Sequence, residues 1–160
     1  MTRVTARRSL PLVLFVLLCL GVGWINGLAT QGALDGWYPA LVKPSWTPPR
    51  IVFPIAWTIL YILMGSAAGL VWRSRQRGRL GATGRFLIHL ACNALWSPVF
   101  FGLHWPAGGL VVIVLMLATL VATIIAFFRV SPPAGWLLAP YLLWVGYATT
   151  VNIGVVLLNP

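Results

Sequence analysis

The stretch VKPSWTPPRIVFPIAW, residues 42–57, lies between two long apolar segments and decides how the rest of the chain is interpreted. It contains four prolines, two tryptophans and two basic residues, and it contains no acidic residue. The prolines prevent helix formation until the last residues of the stretch, because each one lacks a backbone N–H. A free linker rarely carries so many aromatic side chains. The stretch is therefore predicted to pack against another part of the protein.

The composition of the chain is that of a membrane protein. Its 160 residues are 60% apolar and 8% charged, with a mean hydropathy of +0.93. So few polar residues could not cover a water-soluble core, which predicts an integral membrane protein in contact with the lipid bilayer. The net charge of +10 would favour nucleic acid binding in a soluble protein. Here the basic residues flank apolar segments and contact lipid phosphates, so no nucleic acid partner is expected.

The apolar segments have the length of membrane-crossing helices, which need roughly 20 residues to cross the hydrocarbon. Five segments approach this length, at residues 10–29, 52–72, 86–103, 108–128 and 134–158. The sequence therefore predicts an all-α integral membrane protein, a five-transmembrane-helix bundle that forms a single domain over residues 1–160. The basic start MTRVTARR also suits a signal peptide. However, the first segment is as long as a true span and offers only Gly27 and Ala29 as a weak cleavage site.

Basic residues are distributed unevenly between the two sides of the predicted bundle. If the N-terminus is inside, nine Lys and Arg residues lie on the inner side and two, Lys43 and Arg50, lie on the outer side. Because short loops rich in Lys and Arg stay in the cytoplasm, the N-terminus is predicted to be cytoplasmic and the C-terminus to lie on the opposite side. Lys43 and Arg50 either reach lipid phosphates of the outer leaflet or have a role in binding.

Three tryptophans and several polar side chains fall inside the predicted helices. Trp57, Trp96 and Trp144 lie away from the span ends, near polar or helix-perturbing residues. A buried indole needs a partner for its N–H, so these residues indicate either core packing or a polar seam that lines a ligand cavity. The polar side chains expected to face the bundle interior are Asn26, His89, Asn93 and Asn152.

The residue content disfavours acid–base catalysis and metal binding. Asp35 is the only acidic residue, which argues against paired carboxylates, a carboxylate proton relay and a carboxylate-bound metal. His89 and Cys92 share one face of the third predicted helix, but a metal would need further ligands. Packing is therefore favoured for this pair, and no metal site is expected. No nucleophile, base and orienting residue can be assembled for hydrolysis.

Small residues recur at four-residue spacing in three of the predicted spans. The sets are Gly23 with Gly27, Gly65 with Gly69, and Ala118 with Ala122 and Ala126. Such spacing lets helices approach closely. It is compatible both with packing inside one bundle and with packing between two subunits.

The segments WYPALVKPSWTPPRIVFPIAW at 37–57, NALWSPVFFG at 93–102 and PYLLWVGYATTVN at 140–152 are recognisable in combination. They resemble the tryptophan-rich sensory protein, or translocator protein, family. The resemblance runs through nearly all five predicted spans. It implies a five-helix bundle that is commonly a homodimer. It also implies a pocket beneath the first loop that binds porphyrins and haem and, in some members, sterols and synthetic drug-like ligands.

The resemblance also assigns roles to individual residues. The pocket positions that it implies are Trp46, Pro48, Trp57, Asn93, Trp96, Tyr141 and Trp144. It further implies that Trp57 and Trp144 take part in light-dependent porphyrin breakdown, which makes them the candidate catalytic residues. We add Lys43 and Arg50 to the binding set, because cations in a loop that covers the pocket would attract propionates. The chain ends in LLNP without the basic tail that completes the sterol motif of animal members, so the sequence leaves sterol binding undecided.

The predicted function is that of a membrane receptor or sensor that binds porphyrin or haem in a tryptophan-lined pocket, with the tetrapyrrole as ligand and no required cofactor. Enzymatic activity, if present, would be photochemical, since the chain offers oxidisable indoles and almost no titratable catalytic groups. Otherwise bound porphyrin bleaches in light with the protein as a bystander. The alternative function is a transporter of porphyrins or other small hydrophobic molecules. Transport would need polar residues through the full depth of the bundle, whereas the candidates here cluster near one mouth.

Overall fold

The computed structural model describes the backbone of residues 2–160 and the side chains of residues 9–160. Throughout the described residues the regular structure is helical, which confirms the predicted all-α class. The elements in chain order are α1 Thr2–Leu34, α2 Trp37–Ala40, α3 Val52–Arg73, α4 Arg79–Ser97, a π-helix Pro98–Gly102, α5 Pro106–Val130, α6 Pro132–Leu137 and α7 Ala139–Leu158.

Within the described part of the chain, four helical stretches are long and apolar enough to cross a membrane. They are Ser9–Leu34, Val52–Arg73, Pro106–Val130 and Pro132–Leu158. The protein is therefore a multi-pass integral membrane protein, as predicted. The predicted third span, 86–103, does not meet the same criterion, so the count of five is not confirmed. The reason is local, because α4 carries Arg79, Arg85, His89 and Asn93, and its apolar end continues as a separate π-helix.

The start of α4 corrects the predicted boundary between the second and third segments. The basic sequence at 73–85 was expected to be a connector, but only residues 74–78 connect the two helices. Gly78 has φ of +92°, a left-handed conformation that glycine adopts without steric cost, and it turns the chain directly into α4. Arg79 and Arg85 therefore lie on α4, and only Arg75 and Arg77 lie in the connector.

Two prolines interrupt the later helices. Pro98 ends α4, and Leu103 N–H donates to the Pro98 carbonyl at 2.9 Å, which closes the wider turn of a π-helix. Pro140 follows a break at Leu138, which divides the predicted fifth segment into α6 and α7. The break arises because a proline cannot donate the hydrogen bond that would continue the preceding turn.

The contact between α1 and α3 is the most extensive between any two helices. A Cβ atom added at Gly69 would lie 2.5 Å from Cα of Leu12, and one added at Gly65 would overlap the backbone of Val16. The Gly65 and Gly69 pair therefore packs two helices of the same chain, which decides between the two alternatives for this pair. An added Cβ at Gly27 would meet nothing within 4 Å, so the second half of α1 lies further from α3.

The first loop, the turn before α5 and the end of α7 lie together at one end of the bundle. His104 adopts φ of +51° and stacks on Trp37, with ring centroids 4.6 Å apart. Asn159 accepts a hydrogen bond from Val42 N–H at 3.0 Å. The loop and the C-terminus therefore share one end, and this end holds the cavity described next.

Candidate ligand cavity

A cavity of about 810 Å³ lies beneath the first loop, between α1, α3 and the end of α4. This volume falls within the range of small-molecule sites, roughly 300–1,000 Å³. Its lining is mainly apolar and aromatic, with a few polar groups. The lining residues are Leu20, Gly23, Trp24, Asn26, Gly27, Leu28, Thr30, Gln31, Leu34, Tyr38, Pro39, Lys43, Thr47, Pro48, Arg50, Phe53, Pro54, Trp57, Thr58, Tyr61, Asn93, Trp96, Ser97 and Phe101.

One side of the cavity is open between α1 and α3. Trp24 lines it and is 70% exposed, and Pro54 and Thr58 on α3 are also exposed lining residues. Both helices belong to stretches that are long and apolar enough to cross a membrane.

Three polar side chains from three helices form the floor of the cavity. Tyr61 donates its hydroxyl to Asn93 Oδ1 at 2.7 Å, and Asn26 Nδ2 donates to Tyr61 Oη at 3.3 Å. Gly23 makes room for this group, because an added Cβ would lie 2.5 Å from the Tyr61 ring. The three residues are buried and hydrogen-bonded to one another, as polar groups in hydrocarbon need to be.

The hydrogen bonds continue from the floor into the core. Asn93 Nδ2 donates to Tyr141 Oη at 2.8 Å, and Tyr141 Oη lies 3.1 Å from His89 Nε2. His89 Nδ1 in turn lies 3.1 Å from Thr119 Oγ1. Every group is satisfied if the Tyr141 hydroxyl donates to His89 Nε2 and His89 Nδ1–H donates to Thr119 Oγ1. The Thr119 hydroxyl then donates to the Leu115 carbonyl at 2.9 Å. This pattern assigns the proton of the neutral imidazole to Nδ1.

Aromatic rings form the walls next to this network. Trp57 lies with its ring centroid 5.5 Å from that of Tyr61 and 6.0 Å from that of Tyr141. Trp96 stacks on Phe100 at 5.1 Å, and its indole N–H donates to Asn152 Oδ1 at 3.3 Å. Both tryptophans are thus held by neighbours on their inner side, while the cavity borders them on the other.

Lys43 is bound to the backbone of its own loop. Its ammonium donates to the carbonyls of Tyr38 at 2.9 Å, Pro39 at 3.2 Å and Leu41 at 2.8 Å, which uses all three of its donors. It also lies 4.9 Å from the centroid of the Tyr38 ring. Because it binds these carbonyls, Lys43 stabilises the end of α2. Burial raises the pKa of the neighbouring Tyr38 phenol above its ordinary value, and the charge of Arg50 opposes this shift.

Arg50 is the more available cation at the cavity. Its guanidinium lies 3.8 Å from the carboxylate of Asp35, and both side chains are mostly exposed. An exposed ion pair of this kind contributes little to stability and exchanges readily with water and other anions.

The first loop is attached to α7 at several points along its length. Asn159 Nδ2 donates to the Val42 carbonyl at 2.8 Å, and the Tyr147 hydroxyl donates to the Trp46 carbonyl. Between these two attachments, Pro44 packs against Gly154 of α7. A Cβ atom added at Gly154 would lie 2.7 Å from Pro44 Cγ. Val42, Pro44 and Trp46 therefore rest on α7, whereas Pro48 and Arg50 border the cavity.

The structure brings together most, but not all, of the predicted site residues. The members that line the cavity are Lys43, Pro48, Arg50, Trp57, Asn93 and Trp96. Trp46 does not line it and is 52% exposed, with its carbonyl turned to Tyr147. Tyr141 is fully buried behind Trp57 and Asn93.

Trp144 lies outside the main cavity. It borders a small adjoining void of about 30 Å³, whose wall includes Phe53, Pro48 and Trp96. Phe53 stands edge-on to Trp144 with centroids 6.1 Å apart and also lines the main cavity. The Trp144 indole N–H is buried without a hydrogen-bond partner among the described residues. Phe53 therefore borders both spaces, whereas Trp57 borders the main cavity and Trp144 the small void.

The contribution of α1 was missed by the sequence reasoning. Gly23, Gly27, Thr30, Gln31 and Leu34 line the cavity along one face of this helix. Their spacing of three and four residues places small and polar positions on one side of an otherwise apolar span. This pattern was interpreted only as a packing surface, and Tyr61 was not singled out at all.

No group of three or more His, Cys, Asp or Glu residues suited to a metal ion occurs among residues with described side chains. Both ring nitrogens of His89 have side-chain partners. Cys19 and Cys92 are free thiols on different helices.

The fold and the cavity define a multi-pass helical membrane protein with an aromatic-lined cavity beneath its first loop. The chain belongs to the TspO/MBR family, whose sequence model matches residues 15–158. The predicted family resemblance is thereby confirmed.

Curated relatives from bacteria and animals cover most of the chain. It is 43% identical over 158 residues to the tryptophan-rich protein TspO of Chlorobaculum tepidum, covering 96% of this chain and 99% of that protein. It is 46% identical over 134 residues to the tryptophan-rich sensory protein of Cereibacter sphaeroides, covering 82% and 84%. It is 35% identical over 145 residues to the translocator protein of Bos taurus, covering 89% and 86%.

Proposed function

We propose that the protein is a membrane receptor or sensor that binds a porphyrin or haem in the cavity beneath the first loop. The observation that carries this proposal is the cavity itself, which is about 810 Å³ in volume and bordered by Trp57, Trp96 and the Tyr61–Asn93 pair. A flat macrocycle stacked on indole rings gains about 0.5–1.5 kcal/mol per aromatic contact beyond area burial. The names of two relatives, a sensory protein and a translocator protein, agree with such a role.

Arg50 is the proposed partner for ligand propionates. It borders the cavity, and its one ion pair among residues with described side chains is the exposed pair with Asp35. Lys43 also borders the cavity, but its ammonium donors are used by carbonyls of Tyr38, Pro39 and Leu41. Of the two cations, Arg50 is therefore the one that can turn to a carboxylate without breaking the loop.

The tightly packed side chains below the cavity floor favour binding over transport. Tyr141, His89, Phe86 and Phe127 are fully buried there and fill the bundle, and the polar residues among them bond one another. A transporter of porphyrins would need a path past these side chains. The side opening between α1 and α3 supports entry and exit on the same face, as expected for a receptor.

We further propose that α4 with the π-helix is the fifth membrane-crossing element. The two together cover residues 79–102, and their buried side chains contact α5, which is a spanning stretch. The first loop and the C-terminus share one end, so the uneven charge distribution supports an N-terminus in the cytoplasm and a C-terminus outside.

The predicted homodimer stays a prediction. Ala118 and Ala122 are exposed on α5 and would face either lipid or a second copy.

We also propose that bound porphyrin is degraded in light with Trp57 as the residue that reacts first. Trp57 borders the cavity, whereas Trp144 borders the adjoining small void. An excited porphyrin next to an oxidisable indole is sufficient for electron transfer between them.

A titration with protoporphyrin in detergent tests the binding proposal. Saturable quenching of indole fluorescence is expected, with affinity weakened up to about tenfold by Trp57→Leu, the loss of one stacking contact. Trp136→Leu is the matched control, because Trp136 is 69% exposed and lies outside the cavity. If Trp57→Leu binds like the wild type, the ligand binds elsewhere.

A further inference from the structure

Trp57 contacts two tyrosines whose hydroxyls have different hydrogen-bond partners. Tyr61 donates to the amide oxygen of Asn93 at 2.7 Å, whereas Tyr141 Oη lies 3.1 Å from His89 Nε2. The ring centroids of both tyrosines lie close to that of Trp57, at 5.5 Å and 6.0 Å. The lone pair of a neutral imidazole nitrogen is a much stronger proton acceptor than an amide oxygen. Of these two tyrosines, only Tyr141 therefore has a proton acceptor beside its hydroxyl.

We propose that Tyr141 and His89 form a proton-coupled electron relay that restores Trp57 after a photoexcited tetrapyrrole has oxidised it. This inference rests on the proposed function and gives a role to two residues that do not border the cavity. In the wild type the relay would move the oxidising equivalent from the ligand contact into the core. Trp57 would then be available for another cycle.

Each step conserves electrons and protons. The excited tetrapyrrole takes one electron from Trp57, which leaves a ligand radical anion and an indole radical cation. Tyr141 gives one electron to Trp57 and its phenolic proton to His89 Nε2, which leaves a neutral tyrosyl radical, an imidazolium and an intact indole. Dioxygen takes the extra electron of the ligand and becomes superoxide. A thiolate gives one electron to the tyrosyl radical and becomes a thiyl radical, while the proton returns from His89 to the tyrosine.

The surrounding hydrogen bonds orient the Tyr141 hydroxyl for this transfer. Asn93 Nδ2 donates to the Tyr141 oxygen at 2.8 Å, so the hydroxyl hydrogen is directed to His89 Nε2. The Nδ1–H of His89 is held by Thr119 at 3.1 Å, which leaves the Nε2 lone pair facing Tyr141. Tyr141 is 0% and His89 1% exposed, so the tyrosyl radical and the imidazolium would be shielded from water and from the ligand.

Electron paramagnetic resonance of the illuminated, protoporphyrin-loaded protein tests the relay, with ring-deuterated tyrosine to identify the radical. A tyrosyl signal is expected in the wild type. Tyr141→Phe should remove most of it and leave a tryptophan radical instead. Tyr61→Phe is the comparison variant: Tyr61 also touches Trp57 but has no basic partner. Because Tyr61 borders the cavity, the signal is expressed per bound protoporphyrin, and on this scale Tyr61→Phe should keep the tyrosyl signal. His89→Gln keeps a polar side chain without a base and should lower the tyrosyl yield.

A second arm separates failure of the relay from failure of the proposed function. Protoporphyrin affinity is measured for every variant by fluorescence quenching, so absent binding is recognised as such. Ligand-free protein is then photoionised with light at the red edge of indole absorption, which needs no porphyrin. Here the tyrosyl yield should fall in both Trp57→Phe and Tyr141→Phe and not in Tyr61→Phe. An unchanged tyrosyl signal in Tyr141→Phe, or an equal loss in Tyr61→Phe, would overturn the relay in either arm.

Discussion

The backbone of Val42 and the side chain of Asn159 form a two-way hydrogen-bonded pair, although 117 positions separate them in the chain. Asn159 Oδ1 accepts from Val42 N–H at 3.0 Å, and Asn159 Nδ2 donates to the Val42 carbonyl at 2.8 Å. The same Nδ2 donates to the Val155 carbonyl at 2.8 Å, which anchors the side chain to α7. The end of the chain thus holds the start of the loop that covers the cavity.

Asn159→Ala should loosen the first loop without unfolding the bundle. The substitution removes both bonds to Val42, and the net contribution of one such bond is about 0.5–1.5 kcal/mol. Hydrogen–deuterium exchange at residues 41–47 should become several times faster, and porphyrin should dissociate faster. Leu157→Ala is the control, because Leu157 is exposed at the same end of α7 and forms no bond to the loop. Unchanged exchange in Asn159→Ala would mean that the other attachments suffice.

Gly154→Ala should displace the loop by steric overlap. Its Cβ would lie 2.7 Å from Pro44 Cγ and 3.0 Å from Pro44 Cβ, which are closer than atoms normally pack. Such overpacking costs about 1–3 kcal/mol, so thermal stability and ligand affinity should both fall. Gly146→Ala lies on the same helix, where an added Cβ would meet nothing within 4 Å, and it should leave both unchanged. Equal behaviour of the two variants would show that Pro44 moves aside freely.

Lys43→Gln and Arg50→Gln should affect binding in different ways. Arg50→Gln should weaken binding of protoporphyrin more than that of its dimethyl ester, and raised salt should reduce the difference, because free propionates carry the charge. Lys43→Gln should weaken both ligands alike, since it removes bonds to the Tyr38, Pro39 and Leu41 carbonyls. Parallel titrations of both ligands at low and high salt measure this contrast. A selective loss of protoporphyrin in Lys43→Gln would reverse the assignment.

Trp57→Phe and Trp144→Phe should differ in the rate at which bound porphyrin is lost in light. Trp57 borders the cavity, whereas Trp144 borders the small adjoining void and contacts Phe53 edge-on. Light-dependent loss of bound porphyrin, normalised to the amount bound, should slow several-fold in Trp57→Phe and change little in Trp144→Phe. The product profile is followed by absorbance and mass spectrometry. Identical rates and products in the wild type and both variants would identify the protein as a bystander of porphyrin bleaching.

The amino-acid sequence determined the class of the protein and the apolar helices, because hydropathy and helix length are properties of contiguous residues. Four of the predicted spans appear as long apolar helices in the described chain. The proline-rich stretch likewise stays outside regular helix until Val52, as the missing N–H of each proline requires. Trp57, Asn93 and Trp96 were identified as interior residues from their positions within the predicted segments 52–72 and 86–103, and all three border the cavity.

Only the tertiary structure decided which interior residues face the cavity and which support it. Tyr141 and Trp144 are three residues apart on one helix, yet one lies behind Trp57 and the other beside a separate void. Whether Lys43 faces a ligand or the loop backbone likewise depends on where α2 ends. Pairs such as Val42 with Asn159 and Tyr61 with Asn93 join distant parts of the chain, and no local pattern encodes such partners. Their geometry arises only when the packed helices set the distances between them.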